Sequence, residues 1–152
     1  MKRDTKIVLG VVAAVPALIL TAAAACSAAI ASGASMQWRL AFRLMCHGIA
    51  HRCLMLFGVP MPICARCTGI YLGMLGGVLL FPFAFFLRAR IMSKAALLAV
   101  MPLMIDGTTQ LLKIRESTNA LRLSTGALAG LAFGLWVLSA IERRDERPAE
   151  SS

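Results

Sequence analysis

The sequence predicts an all-α integral membrane protein with about four transmembrane helices and a short interfacial helix. Three observations carry that expectation. The 152 residues are 59% hydrophobic and only 15% charged, with mean hydropathy +0.79, which is too apolar for an ordinary soluble domain. The apolar residues fall in long uncharged runs at 7–32, 68–87 and 123–141, and in a fourth run, 95–112, broken only by Asp106. About 20 such residues cross a hydrocarbon core of about 30 Å. The basic residues collect at the ends of the runs and in short loops, as topology signals do.

The first run follows Lys2, Arg3 and Lys6 and so shares features with a secretory signal. It is longer than a signal core, and Ala23-Ala24-Ala25-Cys26 lacks the Leu of a lipoprotein box. The expectation is an uncleaved helix over 7–32 with Cys26 buried in it as a small residue. Trp38, Leu40, Ala41, Leu44 and Met45 then alternate with Arg39 and Arg43 at near-helical spacing. That pattern predicts an interfacial helix with its arginines at headgroup level. Gly58, Pro60 and Pro62 impose a turn or extended segment.

The second helix, 68–87, contains Gly69, Gly73, Gly76 and Gly77, and the fourth, 123–141, repeats Gly126, Gly130 and Gly134. Small residues at this spacing allow close helix packing in lipid, and also offer a face for a homo-oligomer. Phe81, Phe83, Phe85 and Phe86 are expected to face lipid. The third helix, 95–112, holds Asp106, an expensive residue inside a membrane. Residues 143–152 form a charged tail with Pro148, expected to be disordered. The domain organisation is one membrane domain, 1–142, followed by that tail.

The formal net charge of +9 would suggest nucleic acid in a soluble domain. Here the positions of the charges fit anionic lipid headgroups instead, and no basic stripe interleaved with aromatics is present. With four spans, the loop before the second helix and the loop before the fourth lie on the same side. Nine Lys and Arg fall on the side of the termini and seven on the other, which favours cytoplasmic termini in the plasma membrane.

Chemistry concentrates in two places. Cys46, His47, His51, Cys53, Cys64 and Cys67 hold four of the five cysteines and both histidines. Cys64 and Cys67 form a C-x-x-C pair, whose sulfurs reach one tetrahedral zinc, and a second pair of ligands lies upstream. Adjacent side chains on a helix diverge by about 100°, so Cys46 and His47 both ligate only if the helix ends there. Cys46 with Cys53, or Cys46 with His51, is sterically easier. The same thiols, with Arg66 between them, suit thiol–disulfide chemistry, or else serve only as small packing residues.

The second place is Asp106 with Gln110, one helical turn apart, and Arg115, Glu116, Asn119 and Arg122. Ser117 or Thr118 is placed to cap the last helix. Two readings fit: an ion pair of Arg115 or Arg122 with Asp106 or Glu116, or a site for a phosphate or carboxylate headgroup. The chain has no phosphate loop, nucleophile elbow or H-E-x-x-H pattern, so whether it is an enzyme stays open.

These residues resemble a family of small membrane proteins of bacteria and archaea, the domain of unknown function family 2085. The resemblance covers about residues 40–135. It rests on Cys46-His47, on Pro62 with Cys64-Ala65-Arg66-Cys67-Thr68-Gly69-Ile70-Tyr71-Leu72-Gly73, on Asp106-Gly107 with Gln110, and on Arg115-Glu116-Ser117-Thr118-Asn119 with Arg122. It implies a membrane protein and little about activity. Relatives carry Arg-Ser-Phe where this chain has Arg52-Cys53-Leu54, which implies that Cys53 is not an obligatory ligand. The resulting expectation is a zinc site of Cys46, His47, Cys64 and Cys67 beside a ligand pocket of Arg66, Asp106, Gln110, Arg115, Glu116, Asn119 and Arg122. The alternatives are a redox or assembly protein using the C-x-x-C pair, and a transporter or enzyme acting on small anions or lipid headgroups.

Overall fold

The computed structural model describes residues 3–84, 89–112 and 117–146. The elements are α1 (Arg3–Ala31), a 3₁₀ helix (Met36–Leu44), a single 3₁₀ turn (Ala50–Arg52), strands β1 (Cys53–Leu56) and β2 (Val59–Cys64), then α2 (Ala65–Ala84), α3 (Ala89–Leu111) and α4 (Asn119–Glu146). Among the described residues, Lys6–Ala31, Ala65–Pro82 and Asn119–Ile141 are long and apolar enough to cross a membrane. Helix α3 is absent from that set. Its 23 residues are interrupted by Lys94 near one end and by Asp106 and Gln110 near the other.

Glycine explains how the helices meet. A Cβ on Gly73 would stand 2.1 Å from the Ala127 carbonyl oxygen, and one on Gly130 would stand 2.1 Å from that of Ile70. Gly69 and Gly126 are nearly as tight, so the backbones of α2 and α4 touch over residues 66–77 and 123–135. Lipid tails offer no hydrophobic drive for this pairing, and close van der Waals contact supplies it instead. Gly69, Gly73, Gly126 and Gly130 thus meet the backbone of the neighbouring helix of the same chain.

The interfacial segment is a 3₁₀ helix rather than an α-helix, started by the Ser35 side chain accepting from the Gln37 N–H at 3.3 Å. The turn region is a two-stranded antiparallel hairpin, an exception to the all-α expectation. Leu56 pairs with Val59 and Cys53 with Cys64. Phe57 and Gly58 have φ of 55° and 78°, the paired left-handed geometry of a tight type I′ hairpin turn. Pro60 and Pro62 cannot donate to a ladder, which suits a strand that has one neighbour. The inner side of the hairpin packs Met61 and Ile63 on Ala23 of α1, with Leu20, Phe42 and Tyr71 around them.

Other boundaries shift. Helix α2 begins at Ala65, drawing Arg66 and Cys67 into its first turn. Helix α4 begins at Asn119, where the Thr118 hydroxyl accepts from the Leu121 N–H at 3.3 Å. It continues through Glu146, so the start of the expected tail, 143–146, is helical. Residues 147–152 lie outside the described residues. Phe81 is buried rather than lipid-facing, and Phe85 and Phe86 fall outside the described residues. Cys26 is half-buried, not buried.

Candidate metal centre

Each of the three clustered cysteines is set by the end of an element. The 3₁₀ helix stops at Leu44, Met45 caps it, and the Cys46 N–H donates to the Phe42 carbonyl at 2.9 Å. Gly48 follows in a left-handed conformation, φ 55°, and a Cβ there would stand 2.8 Å from the Pro62 carbonyl oxygen. Only glycine lets the chain turn and lie against β2 at this point. Cys64 ends β2 and Cys67 lies in the first turn of α2. The Cys64 N–H donates to the Cys46 sulfur at 3.2 Å.

The sulfurs of Cys46, Cys64 and Cys67 lie within 4.8 Å of one another. A zinc ion with Zn–S bonds of about 2.3 Å holds its sulfurs about 3.8 Å apart, a difference that side-chain rotation closes. Hydrogen bonds from the Cys64 and Cys67 side chains, and from the Cys64 and Gly48 backbone, hold the Cys46 thiol well below the usual thiol range. That bias favours a thiolate at Cys46, with its neighbours' thiols as donors.

The other soft residues stand apart. His47 directly follows the end of the helix, as joint ligation with Cys46 demands, yet its ring is exposed and is not one of the grouped ligand atoms. His51 accepts from the Arg52 Nε at 3.3 Å. Cys53 is buried, and its thiol donates to the Ile49 carbonyl at 3.2 Å. Burial pushes that thiol up to about 11, against the lowering effect of Arg39.

Two clamps hold the cysteine-bearing loop. The Arg39 Nη2 donates to the carbonyls of Gly48 at 3.0 Å and Met61 at 3.2 Å. Arg39 therefore turns inward, not toward headgroups, because these shielded carbonyls need a donor. On the other side, the Asn119 amide donates to the carbonyls of His51 at 3.3 Å and Cys53 at 3.2 Å. Through Asn119 the cysteine-bearing loop is tied to the start of α4.

Asp106 is buried and, among the described residues, pairs with Arg66 of α2 rather than with Arg122. Gln110 donates to the same carboxylate oxygen at 3.0 Å. Arg122 is 6% exposed and donates from Nη1 to the Asn119 side-chain oxygen Oδ1 at 2.9 Å. Arg115 and Glu116 lie outside the described residues. A cavity of about 450 Å³ opens beside the thiols, lined by Cys46, Cys64, Cys67, Arg52, Arg66 and Arg122 among others. His47 and Gln110 also border it.

The family described as predicted membrane protein (DUF2085) matches residues 46–136, which include all three clustered cysteines, Asp106 and Arg122. The chain belongs to that family. An uncharacterized protein of Methanocaldococcus jannaschii is 42% identical over 99 residues, covering 64% of this chain and 64% of its own length. An uncharacterized protein of Methanothermobacter thermautotrophicus is 44% identical over 103 residues, covering 66% of this chain and 88% of its own length. The chain thus spans under two thirds of the first relative and most of the second. Both relatives are archaeal. No solved structure matches.

Sequence reasoning missed the roles of Arg39 and Arg52. Arg39 shares the i, i+4 spacing with Arg43 that signals an interfacial face, and nothing in that pattern marks an inward turn. For Arg52 the available signal was its position between His51 and Cys53.

Proposed function

We propose that this family member is a four-span membrane protein holding a zinc ion on Cys46, Cys64 and Cys67, at the membrane face where its first and third loops meet. The convergence of the three sulfurs carries the reading. Three thiolates leave a fourth position open toward the cavity, for His47 or for an outside ligand. Helix α3 serves as the fourth span. Its 23 residues reach about 34 Å, and Leu97, Leu98, Met101, Met104 and Ile105 stay exposed for lipid to cover. Pairing with Arg66 offsets the cost of Asp106 in that helix. The parity of the spans and the excess of basic residues around the termini support cytoplasmic termini in the plasma membrane. Residues 1–142 act as one domain.

Metal content tests the reading. The purified protein should hold zinc near one equivalent, and Cys64→Ser/Cys67→Ser should lose it. Equal, substoichiometric zinc in both would refute the proposal. A second reading rests on Cys64 and Cys67 flanking the start of α2 with their sulfurs within 4.8 Å of each other. It predicts a Cys64–Cys67 disulfide by mass spectrometry after thiols are trapped in intact cells.

A further inference from the structure

Arg122 is the most deeply placed cation facing the cavity. Its side chain is buried among α4 and the loops, 6% exposed, and its Nε has no partner among the described residues. Among the described residues its guanidinium makes the one bond from Nη1 to the Asn119 side-chain oxygen, which leaves Nε without an acceptor. A buried, unused charged donor is costly, so such a group calls for an acceptor. The acid nearby does not supply it, because Asp106 is committed to Arg66 and Gln110. Arg52 and Arg66 line the same cavity and add positive charge around Arg122, against the opposing influence of Asp106 and Cys64.

We propose that this cavity binds a phosphate-class oxyanion, seated on Arg122 and Arg52 and facing the open side of the three-thiolate site. Guanidinium forks match phosphate oxygens in geometry as well as charge. The volume, about 450 Å³, admits inorganic phosphate or the headgroup of a phosphate-bearing lipid, and its place at one end of the bundle makes both reachable. The anion site deepens the zinc reading by naming the ligand class of its open side. It depends on that reading only for the anion's approach to the metal.

The test is calorimetric binding of inorganic phosphate to the detergent-purified full chain, and binding of phosphatidylcholine nanodiscs doped with phosphatidic acid. Arg122→Gln should weaken binding at least about tenfold, while Lys94→Gln, at the far end of α3, should leave it unchanged. Arg122→Lys, which keeps the charge and loses the fork, should fall between. Should Arg122→Gln fail to fold, Arg52→Gln carries the same expectation. Binding of inorganic phosphate identifies a free anion as the ligand, and binding of phosphatidic acid alone identifies a lipid headgroup; either supports the site when it is sensitive to Arg122. Binding of neither probe, or equal binding by the parent and Arg122→Gln, overturns it. Phosphate binding that appears only in Glu116→Gln also overturns it, since Arg122 would then be satisfied within the chain. Zinc is measured on the same samples. Its absence alongside Arg122-sensitive phosphate binding would defeat the metal reading and leave the anion site standing.

Discussion

The α2–α4 pair and the loop that carries the cysteines are held by opposite means. The helices meet through what is missing: side chains are absent at Gly69, Gly73, Gly126 and Gly130, and backbones press together. The loop is held by a few directed polar contacts, from Arg39 and Asn119 to four carbonyl oxygens, over a small apolar plug of Met61 and Ile63 on Ala23. Where lipid surrounds the chain, packing gives rigidity without an unsatisfied polar group. Where sulfurs must be aimed, hydrogen bonds specify position, and the helical pair supplies a fixed base for them.

That contrast breaks most severely in the helical pair. Gly73→Leu or Gly130→Leu should cost more than about 3 kcal/mol, because the neighbouring obstacle is backbone; loss of monodisperse protein in detergent and a collapsed melting transition would register it. Gly76→Ala is the control, since its Cβ would meet only the Leu131 Cδ1 at 3.9 Å, and it should stay within about 0.5 kcal/mol of the parent. Next in size is the ion pair that joins the two regimes. Arg66→Met should destabilise by about 3 kcal/mol by stranding Asp106, and Arg66→Met/Asp106→Leu should recover most of the loss; a double-mutant cycle in thermal unfolding measures the coupling. An additive cycle would show that the pair does not matter.

Smaller effects sharpen the loop side. Asn119→Ala should cost about 1–2 kcal/mol and speed amide exchange across residues 49–56 while leaving α2 protected. Uniform exchange changes over both regions would erase the distinction between them. Least disruptive is the chemistry of Cys53. With its thiol pushed up to about 11 by burial, about one molecule in a thousand is thiolate at pH 8. Iodoacetamide at that pH should leave Cys53 unmodified in the folded protein, with labelling rising as pH approaches 11, and Cys53→Ala should retain full metal content.

The contrast also explains what the sequence disclosed. Long uncharged runs and glycine spacing are one-dimensional patterns, so α1, α2 and α4 and the small-residue faces were readable to within a few residues. Which glycine row met which was not, because that depends on how the helices are arranged. At the site, the C-x-x-C pair was legible from residue type and spacing, whereas the preference for Cys46 over Cys53 came from the family resemblance. The exclusion of His47 from the sulfur group was not legible, since it depends on the turn at Gly48. The ion-pair reading of Asp106 considers Arg115 and Arg122, which are nearer to it in sequence, and Arg115 lies outside the described residues. Arg66, the actual partner, is 40 residues away. The hairpin was read as a turn or extended segment from Gly58 and the prolines, but its pairing depends on Phe57 taking an unusual left-handed backbone that no residue preference announces.

The Asn119 clamp has a consequence for the newborn chain. It joins residues 68 apart in sequence, so the cysteine loop cannot be fastened until α4 has begun to emerge. At about 5–20 residues per second, ribosomal synthesis leaves several seconds in which Cys46, Cys64 and Cys67 have been made and nothing yet covers them from the α4 side. On the zinc reading proposed above, that interval is when the three thiols are open to a metal from the α4 side, before the Asn119 clamp forms.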